Sequence, residues 1–167
     1  TYGTKGKIHT SPDGTTWTNR TCYYGASPCH NAEYGTPQDL EDLHGLAYGN
    51  GLFVAVGDNG TILTSPDGTT WTQRTSTPGP FGARVHLYDV TYGNGLFVTV
   101  GNYGTIFTSS DGISWTQRTS PTGSSFGSKH HLIMVNYVNR IFVTVGWYGT
   151  ILTSSNGTSW TKRRTPR

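Results

Sequence analysis

A stretch of 31 residues recurs along this chain, and its period restricts the fold more than any other feature of the sequence. Residues 46–76 read LAYGNGLFVAVGDNGTILTSPDGTTWTQRTS, and residues 90–120 match them at 22 of 31 positions. A third copy covers residues 135–165, and a partial copy opens the chain as GTKGKIHTSPDGTTWTNRT. The repeat tryptophans Trp17, Trp71, Trp115 and Trp160 stand 54, 44 and 45 residues apart. A period near 44 is the length of one four-stranded propeller blade.

Alternation and turn residues divide each repeat into four strands. HGLAYG reads as strand a, LFVAVG as b, TILTS as c and TTWTQRT as d, joined at Asn50-Gly51, Asp58-Asn59-Gly60 and Pro66-Asp67-Gly68. Asn-Gly and Asp-Gly favour tight hairpins because both residues tolerate positive φ. Strand b is apolar on both faces, as a strand between neighbouring blades must be, whereas strand d carries Thr, Trp and Arg and forms the wetter outer edge. The expected architecture is all-β: a propeller-like array of four-stranded antiparallel blades, roughly three and a half in the chain. It forms one domain over 1–167, with an incomplete first blade at 1–21, a connector at 22–45, and complete blades at 46–76, 85–120 and 129–165.

Composition agrees. Charged residues are only 13%, and 28 Thr, 14 Ser and 23 Gly supply the polarity instead, which is a strand-and-turn composition. Aromatics at 13% fall in regular clusters and argue against disorder. No apolar run nears 18 residues, so no membrane insertion is expected. A scattered net charge of +3 does not describe a nucleic-acid binder.

The segments SPDGTTW at 11–17 and 65–71 and SSDGISW at 109–115 resemble the Asp-box that marks c–d hairpins in sialidase-like and photosystem-assembly-factor-like β-propellers. The spacing is one residue shorter than the usual S-x-D-x-G-x-T-W. With the preceding VG-x-x-GTI-x-T, the repeat is similar to the SPDG-x-x-WT repeats of bacterial and phage surface proteins. The resemblance implies the propeller fold and leaves the function open, since that fold hosts enzymes, lectins and scaffolds alike.

The recurring residues read as structure. Asp13, Asp67 and Asp111, with Asn156 in the last blade, are expected to accept hydrogen bonds from backbone N–H groups of their turn, while Trp17, Trp71, Trp115 and Trp160 pack between blades. Arg20, Arg74, Arg118 and Arg163 follow each Trp by three residues and read as edge residues, not a sialidase arginine triad. Sialidase-like catalysis needs a larger propeller with convergent arginines, a Tyr nucleophile and acids at its mouth, so an enzyme is not expected. The six histidines show no metal-ligand spacing, and no cofactor or metal is expected. His86 and His131 share one repeat position beside strand a, where a common local contact is expected.

Compartment is read from other residues. Cys22 and Cys29 flank a Gly- and Pro-containing loop in CYYGASPC, which favours a small disulfide ring over a pair of free thiols. Only four lysines, abundant Thr and Ser, and sequons at Asn19, Asn59 and Asn156 add to an extracellular or cell-surface reading, with those three asparagines as candidate glycosylation acceptors. Thiol labelling of the native, unreduced protein should leave both cysteines unmodified; stoichiometric labelling of both would remove the disulfide.

Residues that depart from the repeat carry the functional information. The b–c turn reads Asp58-Asn59, then Asn102-Tyr103, then Trp147-Tyr148. Tyr103, Trp147 and Tyr148 are candidate contact aromatics: such side chains stack on a sugar face, anchor a protein contact, or fill a groove against a neighbouring blade. A second departure is the phase of the repeat, which opens on strands c and d and leaves the first blade short of a and b. The connector carries Glu33, Asp39, Glu41 and Asp42 with no Lys or Arg, and the tail carries Lys162, Arg163, Arg164 and Arg167. Opposite charges at the two ends suit ring closure or head-to-tail joining of subunits, against the plainer reading of a solvated loop and a frayed tail. The first expectation is therefore a non-enzymatic extracellular protein that self-associates as a filament, sheath or surface-layer subunit. The alternatives are a glycan-binding lectin or adhesin with sites between blades, and a fragment of a larger sialidase-like propeller.

Overall fold

The computed structural model describes residues 8–19, 42–75, 85–123 and 129–164. Cys22, Cys29, Arg20, Glu33, Asp39, Glu41 and Arg167 lie outside the described residues. Strands β1 (His9–Thr10) and β2 (Thr18–Asn19) form a two-stranded hairpin. β3 (Leu43–Gly49), β4 (Leu52–Gly57), β5 (Thr61–Ser65) and β6 (Thr72–Thr75) follow as one antiparallel meander. The second blade is β7 (Leu87–Gly93), β8 (Leu96–Gly101), β9 (Ile106–Ser109) and β10 (Thr116–Gln117), and the third is β11 (Leu132–Val138), β12 (Ile141–Gly146), β13 (Thr150–Ser154) and β14 (Thr161–Arg163). The four-stranded blade expected from the repeat is thus present three times, preceded by a c–d hairpin.

Boundaries differ from the sequence reading in two places. The innermost strand begins at Leu43, three residues inside the expected connector. Strand d begins after its Trp, because the turn claims the residues before it. Ser65 Oγ donates to Asp67 Oδ1 at 3.0 Å, Thr69 N–H and Thr70 N–H donate to the same oxygen at 2.8 and 2.7 Å, and Gly68 N–H donates to Ser65 Oγ at 2.8 Å. Asn156 reproduces this with its amide oxygen, which accepts from Thr158 N–H and Ser159 N–H at 2.9 Å. The repeated acid is therefore a turn staple. Arg74, Arg118 and Arg163 each donate from Nε to a threonine hydroxyl of strand c, as edge residues do.

These hydrogen bonds set a pH dependence. Bonds from the Ser114 and Ile113 N–H groups, against slight burial, lower the Asp111 carboxyl to about 2. A depressed acid contributes stability that is complete above the ordinary carboxylate range and is lost as pH falls through its folded value. Asp111→Asn keeps the acceptor and removes the charge, as Asn156 does naturally. Its melting temperature should fall less steeply than that of wild type between about pH 4 and pH 2; parallel acid melting curves would contradict the assignment.

Blades stack through their inner strands. Tyr92 of β7 lies across Gly49 of β3 and Tyr137 of β11 lies across Gly93 of β7, so closely that a Cβ on either glycine would overlap the Cγ end of the ring. Asp89 adds a polar tie, its Oδ2 accepting from Val135 N–H of the next blade at 2.8 Å. One core forms between the first two blades, from Val54, Val56, Ile62, Leu87, Val90, Phe97 and Trp115. A second, between the last two, holds Val98, Val100, Ile106, Leu132, Val135, Phe142, Leu152 and Trp160. Ile8 of the hairpin packs on Ala55, Leu63 and Trp71 of the first blade.

Both ends of the array show apolar side chains. Leu46 and Tyr48 of β3 are exposed, although Val90 and Val135 at the position of Leu46 are buried. Met134, Val138, Ile141 and Val145 are exposed on the third blade. Trp17 corrects an expectation: it is 61% exposed, whereas Trp71, Trp115 and Trp160 are buried. Those three indoles lie 6.4 to 6.5 Å from Phe53, Phe97 and Phe142 of their own strand b. The β1–β2 hairpin has no described strand b to supply that ring.

Candidate binding rim

One edge of each blade carries the start of strand a and the b–c turn, paired at Leu43–Gly57, Leu87–Gly101 and Leu132–Gly146. Each inner strand holds one extra residue there, His44, Tyr88 or Ile133, between its first two pairs. Such a bulge leaves a residue out of the ladder and re-aims its side chain. The turn is tied to the strand start by the main chain: Asp58 N–H donates to Asp42 O at 2.9 Å, Asn102 N–H to His86 O at 3.0 Å, and Trp147 N–H to His131 O at 2.9 Å.

The second turn residue has a left-handed backbone in every blade, with φ of 51° at Asn59, 55° at Tyr103 and 56° at Tyr148. Asn adopts this region readily, whereas a residue with a bulky side chain is disfavoured there by about 1–2 kcal/mol. Two tyrosines stand where an asparagine would fold more easily, which turn formation alone does not require; backbone strain of this kind clusters at functional positions.

The side chains form a continuous row across the three blades. His44 and Tyr88 have ring centroids 6.0 Å apart, Tyr88 and His131 6.4 Å, Tyr103 and His131 5.4 Å, and His131 and Trp147 4.4 Å. His130 lies 6.0 Å from Tyr148 and places Nδ1 3.0 Å from the Thr150 hydroxyl. At the other end, Asp58 accepts from two imidazoles at one oxygen, His44 Nε2 at 2.8 Å and His86 Nδ1 at 2.7 Å. Burial alone would raise the Asp58 carboxyl, but the two histidine bonds outweigh it and hold it below the usual range. An ionised carboxylate only accepts, so both ring nitrogens carry the protons. The shared oxygen thus links the first blade to the second.

Electrostatics along the rest of the row are close to neutral. Burial pushes the His131 imidazole below its ordinary value, so it is uncharged near pH 7. Its Nδ1 is buried and has no hydrogen-bond partner among the described residues. Burial, with the Asp58 charge, raises the Tyr88 phenol, which stays protonated. Trp147 is 54% and Tyr148 69% exposed, so the third-blade end of the row presents open aromatic faces.

The structure therefore gathers Tyr103, Trp147 and Tyr148 on one rim and adds to them His44, Asp58, His86, Tyr88 and His131, which the sequence reading did not assemble. The shared position of His86 and His131 was a usable signal, as was each column where the repeats disagree: Asp42, His86, His131; His44, Tyr88, Ile133; Asp58, Asn102, Trp147. Asp42 lies at this rim, while Lys162 and Arg163 lie on β14 and Arg164 follows it, all exposed. The sequon asparagines Asn19, Asn59 and Asn156 are exposed. Between the second and third blades an open groove of about 450 Å³, lined by residues including Arg118, Pro121 and Trp160, holds none of the rim residues.

No protein-family model and no curated protein sequence matches the chain. Among solved structures it is similar to YCF48 bound to a D1 peptide, with a TM-score of 0.59 and 19% identity over 73% of this chain and 39% of that one. It is also similar to YCF48 from Cyanidioschyzon merolae, with a TM-score of 0.60 and 18% identity over the same shares. The chain thus spans about two fifths of the length of these structures. At such identities the likeness is one of fold, and it agrees with the strand order and blade stacking in making this chain a β-propeller array of three four-stranded blades and a further c–d hairpin.

Proposed function

We propose that the chain is a non-catalytic, extracellular binding module that takes a neutral carbohydrate chain along the rim. The juxtaposition of Trp147, His131 and Tyr103 carries this reading. Flat aromatic faces match the apolar face of a pyranose ring, and the phenols and uncharged imidazoles beside them offer hydrogen bonds to its hydroxyls. A row of rings across three blades suits an extended ligand better than a single small molecule. The non-catalytic reading is supported by how five of the described acids are used: Asp13, Asp67 and Asp111 staple turns, Asp58 bridges two histidines and Asp89 ties two blades.

Titration with neutral oligosaccharides, read by tryptophan fluorescence, tests the proposal. A saturable change that disappears in Trp147→Ala is expected. A YCF48 structure holds a D1 peptide, so an extended peptide belongs in the same titration. Response to peptide alone, or to neither, would contradict a carbohydrate ligand.

A second reading, self-association through the ends of the array, is favoured by a separate observation. Leu46 and Tyr48 at one end and Met134, Val138, Ile141 and Val145 at the other are exposed, where inner faces of the array are buried. Large exposed apolar side chains grouped on one face mark interaction surfaces.

A further inference from the structure

The rim differs in chemistry from one blade junction to the next. Between the first and second blades, His44, Asp58 and His86 form one hydrogen-bonded group, in which Asp58 Oδ1 accepts from His44 Nε2 at 2.8 Å and from His86 Nδ1 at 2.7 Å. At the next junction the same three repeat positions hold Tyr88, Asn102 and His131. Asn102 Oδ1 there accepts the His86 main-chain N–H at 3.1 Å, and no carboxylate stands among the three. Charge is thus concentrated at one end of the row.

The shared carboxylate fixes more than the position of the two rings. Each imidazole gives one N–H to Asp58, so in the neutral ring the other nitrogen, Nδ1 of His44 and Nε2 of His86, is a bare acceptor. Neither has a hydrogen-bond partner among the described residues, and the side chains are 34% and 36% exposed. A ligand hydroxyl can donate to them. Protonation turns the same two nitrogens into charged donors, and the imidazole is the side chain that changes charge between about pH 5 and pH 8. Asp58 does not follow: against burial, the two histidine bonds keep its carboxyl ionised below the usual range. The group therefore passes from one net negative charge to one net positive charge as both rings take up a proton. Four titratable side chains surround it. Tyr88 of β7 has its phenol raised by burial and by the Asp58 charge, and Tyr103 of the second-blade turn interacts with that phenol. His131 is held uncharged by burial, and Asp42 adds a carboxyl at the strand start, where its main-chain oxygen accepts the Asp58 N–H.

We infer that the first-blade end of the rim is a charge-switched subsite, which takes a hydroxyl of a neutral sugar when His44 and His86 are uncharged and the carboxylate of a uronic acid unit when both are protonated. The inference rests on the carbohydrate reading of the rim and names the unit that this end selects. A carboxylate accepts from two N–H donors at once and offsets the excess positive charge. The second junction lacks such a group and stays with neutral units, so an oligosaccharide acidic at one end lies along the row in one direction.

Calorimetric titration with an oligogalacturonate and with its methyl ester, at about pH 7.5 and about pH 5, tests this. The ester keeps the chain and loses the charge. The free acid should bind the wild-type chain at least about 10-fold more tightly at the lower pH, the scale of one charge-assisted hydrogen bond, while the ester changes less than about 2-fold. In the chain carrying both His44→Gln and His86→Gln, the ratio of acid to ester affinity should be the same at both pH values. A wild-type ratio that does not change with pH, or a change that survives in the double variant, would overturn the switch and leave the carbohydrate reading standing. Binding of neither oligosaccharide at either pH would overturn both. Nitrogen NMR of the imidazoles in the unliganded wild-type chain keeps the test open if the double variant fails to fold. At about pH 7.5 the neutral rings should carry their protons on Nε2 of His44 and Nδ1 of His86, and the opposite tautomers would overturn the switch.

Discussion

Gly93→Ala should lower the melting temperature by about 6–12 °C, although it adds one methyl group. Its Cβ would overlap Cγ and Cδ1 of Tyr137, and that ring also packs on Phe142 at 4.6 Å between centroids. Neither neighbour can retreat without opening the core that Leu132, Val135, Phe142 and Trp160 share with the second blade. Overpacking of a well-filled core costs about 3 kcal/mol at the upper end of its usual range. For a chain of this size each kcal/mol shifts the melting temperature by about 2–4 °C. Because the cause is one contact, Gly93→Ala should cost little when Tyr137 is already alanine. Additive losses in the double variant would show that the inner strands are not joined in this way.

Trp147→Ala should weaken binding of a neutral oligosaccharide about 30-fold, the scale of a contact worth about 2 kcal/mol. The indole is 54% exposed and packs on His131 alone among the ring contacts of the described residues, so its removal should leave stability within about 0.5 kcal/mol of wild type. Tyr103→Asn is the informative companion. It places at a left-handed position the residue type that Asn59 already provides, which relieves backbone strain while removing a rim ring. It should therefore stabilise the fold and weaken binding together, the opposite pairing to that of a structural residue. Greater stability with unchanged affinity would place Tyr103 outside the site.

The parts of this molecule that could be read from residues alone are those that repeat. The Asp-box turns, the Asn-Gly hairpins and the apolar strand b recur with their own local chemistry, so one blade predicts the next. The rim was only half legible. Tyr103, Trp147 and Tyr148 stood out as aromatics in turns, but His44 and Tyr88 reach the rim through a bulge that no residue type announces. His86 meets Asp58 only because adjacent blades stack, a contact 28 positions apart in sequence. The exposure of Trp17 was illegible for a related reason: its motif is intact, and among the described residues only the lack of a strand b beside it distinguishes it from Trp71.

Where a ligand binds is reported residue by residue by backbone amide chemical shifts. Titration of a neutral oligosaccharide into the isotopically labelled protein should move the amides of the b–c turns and strand starts, above all Tyr103, His131, Trp147 and Tyr148, with Tyr88 and His44 following as the oligosaccharide lengthens. The c–d turns at Asp67, Asp111 and Asn156, at the opposite ends of the strands, should not move. Shifts confined to those turns, or to the groove beside Arg118 and Trp160, would contradict a binding rim.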